Sequence, residues 1–236
     1  MINKTTTAIL VDGGFYRKRA MTFFGPKSPE MRADELYTYC LKHISDTDAD
    51  DPRRLYRIFY YDCPPIDDVV YNPVLRANIN LRNQPTYQWA KSFYDFLTRK
   101  RKVALRLGRL SSASICYNLK QDALKDLCSG IRTVADLGGQ DLHLHVEQKG
   151  VDMRIGIDLL HLAYKRLVDQ VILITGDSDF VPAAKLARRE GIDVILDPMR
   201  GRTSPDLREH VDGLRTHVPA LTFAQRTSAT TASAAP

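Results

Sequence analysis

Two short apolar runs, each ending at an aspartate in a glycine turn, constrain this chain more than any other feature. Thr7-Ala8-Ile9-Leu10-Val11 leads into Asp12-Gly13-Gly14, and Val171-Ile172-Leu173-Ile174-Thr175 leads into Gly176-Asp177-Ser178-Asp179. Neither run alternates apolar with polar residues. A strand made from either must therefore be covered on both faces, as a central strand of a parallel sheet is. Helical crossovers between parallel strands supply the two covering layers.

The intervening sequence reads as those crossovers. Residues 15–24 form one helical stretch, and residues 34–44 another, with Leu36, Tyr37, Cys40, Leu41 and Ile44 at helical spacing. Residues 54–62 read as the second strand, stopped by Cys63-Pro64-Pro65, and residues 103–107 as the third. Trp89, Phe93, Phe96 and Leu97 predict a helix over 87–102. Ile155, Leu159 and Leu162 predict another over 151–167, where Gly156 and Ala163 allow close approach to a sheet. Residues 171–175 are the fourth strand, followed by a helix through Arg189 that Gly191 ends, and residues 192–196 are the fifth. Residues 142–146 alternate like a strand, residues 111–139 read as an insertion with at least one helix, and residues 46–52 as a polar acidic loop. There is no internal repeat. The alternation predicts a doubly wound α/β domain with right-handed crossovers.

With 236 residues, 44% of them hydrophobic, the chain can bury one sizeable core, so one domain is expected. The small polar residues of 226–236 read as a disordered tail. The four cysteines form no Cys-x-x-Cys pair, which argues against a zinc knuckle. No apolar stretch approaches ~20 residues, and the first eight residues lack the pattern of a secretory signal. The expectation is no membrane and a reduced cytoplasm; no oligomeric state follows. A net charge of +6 favours polyanionic partners. The basic residues gather at Arg99-Lys100-Arg101-Lys102 with Arg106 and Arg109, and again at Arg17-Lys18-Arg19. Each cluster is either a solvated helix end or a phosphate-holding rim.

Ligands of doubly wound sheets sit outside the carboxyl ends of the strands, where Asp12 and Asp177 stand. A third carboxylate follows a glycine in Lys149-Gly150-Val151-Asp152. Hard oxygen donors select Mg²⁺ or Mn²⁺, which activate water and neutralise charge on a phosphodiester. Helix capping accounts for single aspartates equally well: Ser178 or Asp179 could cap the helix containing Pro182, and Asp152 the helix it opens. Capping does not, however, ask three element ends to carry carboxylates together. Asp158 lies about 120° round the helix from Asp152 and borders the Ile155–Leu162 stripe, where an unpaired charge is costly. It either pairs with a cation or turns toward the site, and the site is the reading adopted. His143 and His145 are read as surface or packing residues, and Tyr60, Tyr61 and Trp89 as core residues more than as base-stacking ones.

These motifs resemble the NYN family of PIN-like ribonucleases, in its bacterial LabA-like branch, also called DUF88. The resemblance rests on Ile9-Leu10-Val11-Asp12-Gly13, on Gln148-Lys149-Gly150-Val151-Asp152 with Asp158, on Val171 through Phe180, and on Gly191-Ile192-Asp193-Val194. It implies a three-layer α/β/α PIN-like fold with a parallel sheet ordered 3-2-1-4-5. It places the domain at 1–222, with helical insertions at about 66–140 and a disordered tail at 223–236. It further implies metal-dependent cleavage of RNA, with Asp12, Asp152, Asp177 and Asp179 as catalytic acids. Mg²⁺ or Mn²⁺ would be held by Asp12, Asp152 and Asp177, to which Asp158 is added. Lys149, Gly13, Ser178 and Arg17 are the expected substrate contacts. One departure stands out: many relatives carry an asparagine shortly after the first aspartate, where this chain has Gly14, Phe15 and Tyr16. A haloacid-dehalogenase-type phosphatase would need an acid at position 14, and a response-regulator receiver an acidic pair at the first strand end, which Asp12 lacks. The alternative that stays open is a non-catalytic RNA-binding or regulatory protein keeping the same fold.

Overall fold

A computed structural model describes residues 4–45, 52–111 and 115–220. The expected tail and nearly all of the expected acidic loop lie outside the described residues. The chain forms two compact units. One draws on Met1–Asp62, Ser92–Leu107 and Val151–Pro236, the other on Cys63–Lys91 and Gly108–Gly150.

In chain order the strands are β1 (Thr5–Asp12), β2 (Arg53–Asp62), β3 (Val69–Asn72), β4 (Ala77–Asn80), β5 (Val103–Leu107), β6 (Arg109–Leu110), β7 (Cys116–Leu119), β8 (Leu142–His145), β9 (Gln148–Lys149), β10 (Gln170–Ile174), β11 (Asp193–Asp197) and β12 (Gly213–Leu214). The α-helices are α1 (Gly13–Phe24), α2 (Pro29–Ser45), α3 (Pro85–Thr98), α4 (Gln121–Cys128), α5 (Val151–Tyr164), α6 (Val181–Arg189) and α7 (Pro205–Glu209).

The first unit is built on a six-stranded sheet in the order β12-β11-β10-β1-β2-β5, every neighbouring pair parallel. Five of its strands, β5-β2-β1-β10-β11, follow the expected 3-2-1-4-5 order. The sixth, β12, is a correction: two residues give no periodicity to read, and its pairing with β11 through Ile195 and Gly213 appears only in the fold. Ala8, Leu10, Val171, Leu173, Val194 and Leu196 share one core with Ile155, Leu159 and Leu162 of α5 and with Ala184 and Ala187 of α6. Strand alternation turns Ile9, Val11, Ile58, Tyr60, Ile172 and Ile174 to the opposite face. There the Tyr60 ring lies 5.6 Å from Phe93, and Tyr16 lies 6.5 Å from Tyr39. Burying each Leu or Ile contributes roughly 1.5–3 kcal/mol, so β10, buried at all five positions, has no alternative to a central place.

The second unit holds the helix expected within residues 111–139, as α4, together with short strand pairs that were not expected. Beyond the first turns of α3, the α-helix among its described residues is α4, and it pairs β3 with β4, β6 with β9 and β7 with β8, all antiparallel. Strands of two to four residues rarely display a period, and among these β8 alone does, through its Leu-His-Leu-His alternation. Arg132 clasps both oxygens of Asp141, at 3.0 and 2.6 Å, and holds that carboxyl at about 2, well below the usual range. His143 and His145 are exposed, and in the first unit Tyr60 and Tyr61 are core residues. Among the described residues no helix is long and apolar enough to cross a membrane.

Candidate functional site

The register of β1 against β10 pairs Val11 with Ile174 and so brings Asp12 beside Thr175. One oxygen of Asp12 accepts from Phe15 N at 3.0 Å and caps α1, while the other accepts from the Thr175 hydroxyl at 3.2 Å. The same hydroxyl accepts from Asp177 N at 3.2 Å, and Asp177 in turn accepts from Asp179 N at 3.0 Å. A wholly buried threonine thus ties the two strand ends together. Asp12 and Asp177 both cap, each with one oxygen, so capping and convergence describe the same residues. Thr175 was not anticipated; its signal is a hydroxyl closing an otherwise aliphatic run, directly before Gly176-Asp177.

Close packing explains two of the glycines here. A Cβ on Gly13 would lie 2.6 Å from the Tyr60 ring and from the Tyr61 carbonyl oxygen, and one on Gly176 would lie 2.8 Å from the Phe15 ring. Gly13, expected to touch substrate, is buried and lets α1 sit against β2.

The acids press on one another. Burial raises the Asp12 carboxyl above its usual value, hydrogen bonds from Phe15 N and Thr175 oppose that rise, and the Asp177 charge adds to it. Asp152, in the first turn of α5, is raised by desolvation and then by Asp12, Asp177 and Asp179 in turn. The structure therefore brings these four into electrostatic range at one edge of the sheet. None of them has an ion pair among the described residues. Asp152, Asp177, Ser178 and Asp179 are exposed, and Asp12 is half-buried.

The other expected residues lie elsewhere in the network. Asp158 takes the first of its two alternatives. Its Oδ2 accepts from Tyr61 Oη at 2.9 Å and from Arg106 Nε at 3.0 Å, because a half-buried acid beside an apolar stripe needs a cation. Arg17 forms an ion pair with buried Asp62 and donates to Tyr60 Oη at 3.1 Å. Lys149 belongs to the second unit, where its Nζ lies 3.3 Å from Glu147. The basic run is largely occupied by structural contacts: Lys100 pairs with Asp34, Lys102 donates to the Leu55 carbonyl, and Arg99 lies 5.3 Å from the Phe96 ring centroid.

Among the described residues no three His, Cys, Asp or Glu side chains stand close enough to form a ready ligand cage. The donor set at the edge is all carboxylate, and none of the four has an ion pair among the described residues, although Arg17 lies within electrostatic range of Asp12. Such a set fits a hard divalent ion that keeps several waters and needs only one or two protein carboxylates. It does not fit a closed zinc site, which wants nitrogen or sulfur ligands.

Fold and site together define a doubly wound α/β protein with an acidic carboxyl edge. The NYN domain model matches residues 78–217, more than half of the sequence, and the chain belongs to the NYN domain family. A curated relative, the uncharacterized protein y4oD of Sinorhizobium fredii, is 41% identical over 69 residues, which are 28% of this chain and 32% of that protein. The match thus spans about a third of the relative's length. Among solved structures, a protein of unknown function from Vibrio parahaemolyticus aligns with a TM-score of 0.43 at 16% identity, covering 89% of this chain and 91% of its own. A nicotinamidase from Staphylococcus aureus aligns with a TM-score of 0.30 at 12% identity, covering 88% and 90%. Both likenesses are too weak to bear on function.

Proposed function

We propose that this protein is a metal-dependent ribonuclease that hydrolyses RNA phosphodiester bonds at the carboxyl edge of its sheet. The observation that carries the reading is the set of four carboxylates from three element ends, within electrostatic range of one another and none of them in an ion pair among the described residues. Family membership supports it, since NYN proteins are generally ribonucleases and PIN-like nucleases typically use Mg²⁺ or Mn²⁺. Asp12, Asp152 and Asp177 would hold the ion, with Asp179 beside them. When bound, that ion supplies activated water and neutralises charge developing on the phosphodiester. The chain's own residues do the positioning. The cap bonds and Thr175 fix Asp12 and Asp177, and the exposed Ser178 hydroxyl is free to donate to a phosphate oxygen. The four cysteines are free thiols, which suits a reducing cytoplasm.

A non-catalytic RNA-binding role is the second reading, favoured by the absence of a ready ligand cage among the described residues. RNA cleavage assayed with Mn²⁺, with a chelator, and with Asp177→Asn separates the two. Asparagine caps about as well as aspartate, so the variant should keep its melting temperature and lose cleavage. Wild-type activity in the variant, or no chelator-sensitive cleavage by the wild type, would remove the ribonuclease reading.

A further inference from the structure

The acidic edge needs a positive partner for its polyanion, and the expected basic clusters are mostly engaged elsewhere. Arg17 is tied to Asp62, Lys100 to Asp34 and Arg106 to Asp158. One arginine that the sequence did not single out has its backbone beside the site. The loop of residues 198–204, between β11 and α7, passes the Asp177 turn so closely that the Arg202 carbonyl oxygen would be 3.4 Å from a Cβ on Gly176.

This loop is held from several sides. Met199 N donates to Asp197 Oδ1 at 2.8 Å, and Gly201 N to the Pro198 carbonyl at 2.5 Å. Arg19 clamps the Met199 carbonyl through Nε at 3.1 Å and Nη2 at 2.8 Å, and Arg200 Nε donates to the Val218 carbonyl at 3.1 Å. Met199 and Arg200 both adopt left-handed backbone, at φ 42° and 55°, which side chains rarely do. Strain of this kind persists where the surroundings over-determine it, and it concentrates at ligand clamps. The Phe15 ring completes the arrangement, lying against both the Gly176 and Gly201 backbones. Phe15 thereby joins the loop to the Asp177 turn.

Arg202 itself is exposed and has no ion pair or hydrogen bond among the described residues, although Asp177 is the next residue after Gly176. We propose that Arg202 is a substrate-binding residue that grips an RNA phosphate beside the acidic edge. This deepens the ribonuclease reading and rests on it. A guanidinium presents a planar fork that matches two phosphate oxygens. A loop already fixed in place loses little freedom when it binds, so the arginine acts as a register peg: it sets which phosphate meets the carboxylates.

The test uses a labelled single-stranded RNA and two readouts. Binding is measured across a salt series in the Asp177→Asn protein, with and without Arg202→Ala, and Mn²⁺-dependent cleavage is measured for wild type, R202A, R202K and R189A. Arg189 is an equally exposed arginine at the C-terminal end of α6, beyond the opposite edge of the sheet. R202A should weaken binding about tenfold and lower the salt slope by about one, with an unchanged melting temperature. R202K should restore the slope but only part of the cleavage, because it keeps the charge and loses the fork. R189A should change neither. Unchanged affinity and slope in R202A, or an equal loss in R189A, would overturn the proposal even if wild-type cleavage stands. If binding depends on Arg202 while cleavage is absent, Arg202 stands as an RNA contact and the ribonuclease reading falls. No RNA binding at all would overturn both.

Discussion

Strands β1 and β11 both end in an aspartate at the same edge of the sheet, and the two residues have opposite surroundings. Asp197 is wholly buried and filled with donors: Tyr39 Oη at 2.5 Å and His43 Nε2 at 2.9 Å on one oxygen, Met199 N at 2.8 Å on the other. Asp12 accepts a cap bond and the Thr175 hydroxyl, and the charge that raises it further is that of Asp177. Position at a strand end is common to both. What separates them is what faces the carboxylate: a full set of hydrogen-bond donors around Asp197, and a neighbouring acid beside Asp12.

The largest effect should come from emptying the filled site. Asp197→Ala leaves Tyr39, His43 and Met199 N without their acceptor, and removing one member of a buried polar network costs about 3 kcal/mol or more. Urea unfolding should register that loss, whereas Asp177→Asn should barely move the midpoint. Equal destabilisation by the two would erase the distinction.

A packing change at the open site should be smaller and independent of metal. Gly13→Ala places a methyl group 2.6 Å from the Tyr60 ring and the Tyr61 carbonyl, an overpacking that costs about 1–3 kcal/mol. The same unfolding loss should appear with and without Mn²⁺; a loss confined to the metal-bound protein would mean Gly13 serves the ligand after all.

Smallest, and opposite in sign, is the effect of removing one crowded charge. Asp12 and Asp152 are raised in the folded protein. Their carboxyls therefore favour folding at low pH, and that advantage is lost as pH rises from the ordinary carboxylate value of 3.8 through the raised folded values. In chelator, Asp12→Asn should melt at or slightly above the wild type near neutral pH, and the difference should shrink as pH falls toward 3.8. A variant that melts well below wild type at neutral pH would make Asp12 a structural aspartate like Asp197.

The parts of this picture that were readable in sequence are those written in local pattern. β1 and β10 announce themselves as unbroken apolar runs, and the Gly-Asp turns after them place Asp12 and Asp177 at the carboxyl edge. Partners far along the chain were not readable. Arg106 answers Asp158 across 52 residues, and nothing near either residue encodes that pairing. The short antiparallel pairs of the second unit and the edge strand β12 have too few residues for a period. Arg202 carries no motif at all; its loop reaches the site through contacts distant in sequence, among them the Phe15 ring packed against Gly176 and Gly201.

The most direct test of the central claim is a Mn²⁺ titration followed by thermal unfolding of wild type, Asp12→Asn, Asp177→Asn and Asp158→Asn. An ion bound only by the folded protein stabilises it by about 2.7 kcal/mol at a hundredfold excess over Kd. The account predicts a rising melting temperature for the wild type, a gain largely lost in D12N and D177N, and a gain retained in D158N, whose carboxylate is engaged by Arg106 and Tyr61. An equal gain in all four proteins, or none in the wild type, would contradict it.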